Sequence, residues 1–175
     1  MSVQFPDGFR IERLEKAHPR KGFASGKAQV DTWLALQALQ NQQKHLSITR
    51  VLIDEKGHIA GYYTLATGQV DFADLPGEIG RKLPRRTLPI ALVAWLGVDE
   101  RFKGRGLGTR LFASALSDCH TAGRTFPFVA VVIDCIDLEA KSFYQRWDFK
   151  EIPGRPMRLF LATKTLEALM GHDSG

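Results

Sequence analysis

The feature that most constrains this chain is a long apolar run, Leu88–Val98, that passes through an arginine-flanked glycine turn into a helix-patterned segment. A continuous run of that length, rich in β-formers, reads as a strand buried on both faces. The turn is Arg101-Phe102-Lys103-Gly104-Arg105-Gly106-Leu107-Gly108, and Thr109–Ala122 then carries Leu111, Ala115 and Leu116 at helical spacing. Strand, glycine turn and helix in immediate succession require a mixed α/β fold.

The rest of the chain extends that pattern. Phe9–Leu14 reads as an opening strand, and Lys27–Lys44 as a helix with Val30, Trp33, Leu34 and Ala38 on one face. Ile48–Asp54 and His58–Thr67 flank Glu55-Lys56-Gly57 as a hairpin, and Leu75–Arg86 is a connector holding Pro76, Gly77, Gly80 and Pro84. Phe126–Ile133 is a second buried strand and Leu138–Trp147 a helix; Phe149–Ile152 and Met157–Ala162 are strands, followed by a short helix from Thr165. The expected order is β-α-β-β-β-α-β-α-β-β, a mixed sheet with helices on its faces.

With 175 residues and 44% hydrophobic content, the chain is expected to form a single domain over residues 1–175, with a core that needs no disulfide or metal. No run approaches the ~18 apolar residues of a membrane span. Met1–Arg10 lacks the apolar region of a secretory signal. Two cysteines, Cys119 and Cys135, form neither a disulfide framework nor a CxxC pair, which fits a reducing cytoplasm. The formal charge of +5 permits an anionic partner without naming one.

The glycine turn has the chemistry of an anion site. Glycines let backbone N–H groups approach an anion closely, and a following helix start adds the positive end of its dipole. Arg101, Lys103, Arg105 and Arg110 surround it with no intervening acid. A dinucleotide fingerprint would need a third glycine where Thr109 stands, and a Walker loop is absent.

Arg101-x-x-Gly104-x-Gly106 resembles the acetyl-CoA signature of the GNAT N-acetyltransferases. Leu96-Gly97-Val98-Asp99 resembles the end of the splayed strand that precedes that signature, and Val129–Ile133 the strand after its helix. Asp137-Leu138-Glu139-Ala140-Lys141-Ser142-Phe143-Tyr144 is similar to the family's N-x-x-A-x-x-F-Y element, with Asp137 in place of Asn and Asp148 in place of the glycine after the helix. The resemblance implies the GNAT acyl-CoA N-acyltransferase fold, a mixed, mostly antiparallel sheet flanked by helices. It also implies acetyl-CoA as co-substrate, with no metal. Leu96, Gly97, Val98, Arg101, Lys103, Gly104, Arg105, Gly106, Leu107, Gly108, Asp137 and Phe143 would hold the coenzyme, and the Tyr144 phenol would protonate the leaving thiolate.

Segments outside that core resemble the toxin branch of the family. These are Phe23-Ala24-Ser25-Gly26 with Val30-Asp31-Thr32-Trp33-Leu34, Gly61-Tyr62-Tyr63-Thr64-Leu65, Arg81-Lys82-Leu83-Pro84-Arg85, and Pro156-Met157-Arg158-Leu159-Phe160-Leu161. The implied activity is acetylation of the α-amino group of aminoacyl-tRNA, which stops translation. The implied partners are a ribbon-helix-helix antitoxin and a second copy of the chain in a homodimer. Arg81, Lys82, Arg85 and Arg86 form the basic connector expected to meet RNA, with further basic groups at Arg10–Lys21 and at Arg155 and Arg158. The alternatives are acetylation of a small amine or protein N-terminus, or a non-enzymatic basic module that binds RNA.

His18, His45, His58, His120 and His172 have no zinc spacing. Cys119 and Cys135 read as buried small hydrophobes, and Trp33, Trp95 and Trp147 as core aromatics rather than base-stacking platforms.

Overall fold

The computed structural model describes residues 3–80 and 82–171; Arg81 and His172 lie outside them. Its strands are β1 (Arg10–Arg13), β2 (Ile48–Ile53), β3 (Ile59–Asp71), β4 (Thr87–Val98), β5 (Ala130–Asp134), β6 (Lys150–Ile152) and β7 (Arg155–Ala162). They hydrogen-bond in the order β1-β2-β3-β4-β5-β7-β6. β4 and β5 are parallel; β1 with β2, β2 with β3, β5 with β7 and β6 with β7 are antiparallel. The helices are α1 (Ala28–Thr32), α2 (Ala38–Gln43), α3 (Gly77–Gly80), α4 (Leu107–Gly123), α5 (Leu138–Gln145) and α6 (Thr163–Met170). This is the mixed, mostly antiparallel sheet with helices that the residue pattern implies.

The chain divides into two compact units. Among the described residues, the first holds 3–66 and 94–117, the second 67–80, 82–93 and 118–171. In the first, side-chain alternation sends Val51, Ile53 and Tyr62 into a cluster with Leu34 and Ala38, and Leu52, Ala60 and Tyr63 into a cluster with Leu107, Leu111 and Ala115. Both sheet faces are therefore covered, which explains why Gly61-Tyr62-Tyr63 has no polar alternation. Gly61 is a packing requirement, since a Cβ there would lie 2.5 Å from the Leu111 side chain and 3.0 Å from the Gly97 carbonyl oxygen. The segment expected as one α-helix is interrupted by a π turn, Trp33–Gln37, between α1 and α2.

In the second unit, Val70, Leu75, Leu88, Ile90, Val132, Ile152 and Phe160 form the core. The Leu75–Arg86 connector is partly helical, holding α3; a 3₁₀ turn at Phe72–Asp74 precedes it, and the Phe72 N–H donates to the Arg86 carbonyl at 3.2 Å. β5 begins at Ala130 rather than at Phe126. Pro127 has no N–H to give to a ladder, and Phe126 is 76% exposed.

Asp148 follows α5 with φ +70, so it keeps the left-handed turn for which the family uses glycine. Asp148→Gly should relieve that strain and stabilise the fold by about 1 kcal/mol. The expected rise in thermal midpoint is roughly 2–4 °C, read by calorimetry.

Candidate active site

The glycine turn belongs to the first unit, and it is built around a carboxylate whose partners the sequence does not disclose. Asp99, 1% exposed, ends β4 and caps the 3₁₀ turn Glu100–Phe102. Its carboxylate accepts from the Arg101 N–H at 2.9 Å, from Arg101 Nε at 3.0 Å and Nη2 at 3.2 Å, and from the Ala24 N–H at 3.0 Å. Burial alone would raise the pKa of this carboxyl, but these hydrogen bonds outweigh burial and hold it below the usual carboxylate range. The Glu100 N–H donates to the Ala24 carbonyl at 2.9 Å, and Lys103 Nζ donates to the Ser25 carbonyl at 2.6 Å. The Phe23-Ala24-Ser25-Gly26 segment is thereby tied to the turn at three points.

Three of the turn's four cations are held by oxygens of this chain, and one of those oxygens belongs to a carboxylate. Arg101 is committed to Asp99, Lys103 to Ser25, and Arg110 to the Gln4 carbonyl. The Arg105 guanidinium lies 5.4 Å from the centroid of the Phe102 ring. Gly104 and Gly106 adopt φ +79 and +74, and a Cβ on either would meet nothing within 4 Å. Backbone conformation, not space, requires glycine there, and the approach to the turn is open. α4 starts at Leu107, two residues earlier than the pattern implied; Leu107 itself is buried and anchors the helix start. Left-handed glycines before the N-terminus of a 17-residue helix suit a diphosphate, which takes backbone N–H donors and the positive dipole end. The turn fits acetyl-CoA.

Upstream, β4 pairs with β5 at Ala91–Val131 and Leu92–Val132 and then continues to Val98. Beyond that pairing, Ala94 is exposed and Trp95, Leu96 and Val98 are half-buried, although β4 is a central strand. Gly97 has no space for a side chain, because a Cβ would lie 2.5 Å from Val30 Cγ1.

The second unit holds Asp137, Phe143 and Tyr144. Asp137 caps α5, its carboxylate accepting from the Ala140 N–H at 2.8 Å. The cap fixes the helix that presents Tyr144, which is 7% exposed and packs edge-on to Phe143 with centroids 5.4 Å apart. Burial, reinforced by Cys135 and Asp137, pushes the phenol pKa well above its ordinary value, so Tyr144 stays protonated across the physiological range. Its neighbour Cys135 is also raised, chiefly by burial, and burial pushes Cys119 up to about 12. Both thiols are buried and neither is activated.

Lys82, Arg85 and Arg86 are exposed on the connector, and the Arg85 guanidinium lies 5.8 Å from the Phe72 ring centroid. Arg155 and Arg158 line a cleft of about 230 Å³ with Asp71 and Asp74. Among the described residues no group of three or more His, Cys, Asp or Glu could hold a metal ion, and no helix is long and apolar enough to cross a membrane.

Removing the Asp99 carboxylate leaves the Arg101 guanidinium and the Ala24 N–H without their acceptor. Asp99→Ala is expected to cost about 2–4 kcal/mol, seen as a lower denaturation midpoint. The native carboxylate has a depressed pKa, so its contribution is complete above the unfolded value near ~3.9 and is lost as pH falls toward the folded one. The stability gap between the wild-type protein and the variant should therefore close only in acid.

A family model described as acetyltransferase (GNAT) domain matches residues 20–158. The chain belongs to the GNAT acetyltransferase family and is an acetyl-CoA-dependent N-acetyltransferase. Its similarity extends to a tRNA-acetylating toxin of Mycobacterium tuberculosis (strain ATCC 25618 / H37Rv), 34% identical over 159 residues, 91% of this chain and 95% of that protein. Solved structures share the fold. AtaT complexed with acetyl-methionyl-tRNAfMet matches with a TM-score of 0.84 at 22% identity, over 92% of this chain and 98% of that one. An AtaT variant bound to the C-terminus of the antitoxin AtaR and acetyl-CoA matches with a TM-score of 0.78 at 19% identity, over 93% and 98%.

Proposed function

We propose that this chain is a toxin that transfers the acetyl group of acetyl-CoA to the α-amino group of aminoacyl-tRNA and so blocks translation, with residues 1–175 acting as one GNAT domain. The observation that carries this reading is the left-handed Gly104–Gly106 turn before α4, in a chain that also keeps a buried, protonated phenol at Tyr144. It is supported by the likeness to the tRNA-acetylating toxin along nearly the whole chain.

In this reading the backbone amides of Gly104–Gly108 take the coenzyme's diphosphate, with Arg105 and the helix start adding positive charge. Arg101 and Lys103 act by shaping the turn through Asp99 and Ser25. Asp137 holds α5 in place and Phe143 packs beside the phenol. The coenzyme supplies an acyl thioester. A backbone N–H of Leu96–Val98, on the part of β4 beyond its β5 pairing, receives the charge that grows on the acyl oxygen. As the amine nitrogen bonds to the acyl carbon and the C–S bond breaks, Tyr144 gives its proton to the departing sulfur, and the proton shed by the amine passes to solvent, from which the phenol is reprotonated.

The acceptor needs little help from a base. An α-amino group has a pKa near ~7.7–8.0 and a lysine side chain near ~10.4, so at pH 7 about 10% of the former but only about 0.04% of the latter is neutral. The value of kcat/KM should therefore rise with pH up to the acceptor's pKa and then level off. Because Tyr144 is raised above its ordinary value, no alkaline fall is expected below about pH 10. Steady-state rates across pH on a charged tRNA read both limbs.

Arg81, Lys82, Arg85 and Arg86 are the proposed RNA contacts. Each phosphate neutralised should contribute about 0.7–0.9 to the salt slope of binding. A ribbon-helix-helix antitoxin, a homodimer and a cytoplasmic site of action complete the reading. It is tested by incubating the protein with a charged tRNA pool and acetyl-CoA labelled in the acetyl group. Label on the aminoacyl α-amino group is expected; label confined to polyamines or protein N-termini would overturn it.

A further inference from the structure

Trp33 and Trp95 stack nearly parallel, with centroids 5.4 Å apart and planes 14° from each other. Both rings are half-buried, and they come from different elements, the π turn and β4. Trp33 Nε1–H donates to Thr64 Oγ1 at 3.1 Å, and Thr64 shares a 2.7 Å hydrogen bond with Thr49 Oγ1. The Thr49 N–H donates to Gln42 Oε1 at 3.0 Å, and Gln42 Nε2 donates to the Leu14 carbonyl at 2.8 Å. Thr49 and Thr64 are both 0% exposed. A satisfied polar chain of this kind fixes orientation, and here its outer end is an indole with surface still open to solvent. The π turn that carries this indole is a departure from regular helix of the sort that collects at functional sites.

Position gives the pair its meaning. Trp95 directly precedes Leu96–Val98, the segment assigned above to the acyl end of the coenzyme. Along β4, Trp95 packs with the cluster of Leu34 and Tyr62, while Leu96 and Val98 pack with that of Leu107 and Leu111. The indole pair thus stands beside the acyl-holding segment in the chain and offers an aromatic surface in which the Trp33 N–H is already satisfied within the protein.

We infer that the Trp33–Trp95 stack is the wall against which the acceptor's aminoacyl side chain packs, so that the pair selects aminoacyl-tRNAs with large apolar side chains. This inference rests on the acetyl-transfer reading above. A wall of two rings discriminates by contact area, and a missing aliphatic group in such a pocket changes rate by about 10–200-fold.

The test is kcat/KM on leucyl-, methionyl-, phenylalanyl-, glycyl- and aspartyl-tRNA, with acetyl-CoA affinity measured calorimetrically on the same samples. The wild-type protein should favour the large apolar acceptors over the glycyl and aspartyl ones by at least ~10-fold. Trp95→Ala and Trp33→Ala should lower kcat/KM about 10–100-fold on the favoured acceptors and leave the glycyl value and the acetyl-CoA Kd within about twofold. Trp95→Phe and Trp33→Phe, which keep an aromatic face, should retain most of the preference; Trp95→Leu and Trp33→Leu, which fill the space without a ring, should lower it and serve if the alanine variants do not fold. An active wild-type enzyme that prefers glycyl or aspartyl acceptors, or alanine or leucine variants whose acceptor spectrum matches the wild type, would overturn the assignment of the pair. A wild-type protein inactive on every charged tRNA overturns the acetyl-transfer reading itself, and this inference with it.

Discussion

Replacing Tyr144 with Phe is expected to lower turnover by ~10²–10⁴ while leaving acetyl-CoA affinity unchanged. The substitution removes one oxygen and keeps the ring, which packs against Phe143 and is almost fully buried, so the core loses little. What disappears is the only proton that this side chain can give to a leaving thiolate. Burial keeps that proton in place across the working pH range, the state an acid must hold before it acts. The phenol's oxygen is therefore expected to matter to the rate through the proton it carries. Pre-steady-state transfer measured beside a calorimetric titration separates the two effects. A variant with wild-type turnover would remove Tyr144 from the reaction.

Gly106→Val carries the second large effect. A β-branched residue at φ +74 is strained by about 1–3 kcal/mol, and relieving that strain turns the Gly104–Gly108 amides away from a common focus. Acetyl-CoA affinity should fall roughly 10–100-fold, the fold-change that corresponds to that strain. Gly108→Ala is the matched control. Gly108 is a residue of α4, and its added Cβ would make an ordinary 3.6 Å contact with Val98 Cγ2, so binding should barely change. Equal losses at both positions would mean that bulk, and not backbone conformation, governs the turn.

The contrast between those glycines marks how far the sequence could be read. The strand, turn and helix around the coenzyme site were legible because a doubly buried strand is an unbroken apolar run, and because glycine at left-handed positions has a steric cause. The π turn was not legible. Val30, Leu34 and Ala38 recur every four residues, a spacing that regular helix also satisfies, and what distinguishes Trp33 is its reach to Thr64, distant in sequence. The four cations of the turn read as an anion trap because composition carries no partners; three of them are committed to oxygens of this chain. Asp99 is legible in the sequence as the end of Leu96-Gly97-Val98-Asp99 but not as the partner of Arg101 and Ala24, for the same reason. A lone acid before an arginine-rich loop looks like solvated charge until Ala24 is brought against it by the fold. β5 starts four residues later than the apolar pattern from Phe126 implies, and Pro127 is the signal that marks the delay.

In the proposed reaction the 101–108 turn receives the diphosphate of acetyl-CoA and Tyr144 protonates the departing sulfur. Crystals of the protein grown with acetyl-CoA test it most directly. The expected density puts diphosphate oxygens within hydrogen-bonding distance of the Gly104–Gly108 amides and the thioester sulfur within reach of the Tyr144 hydroxyl. Density for the coenzyme elsewhere, with that turn vacant or the hydroxyl directed away from the sulfur, would contradict it.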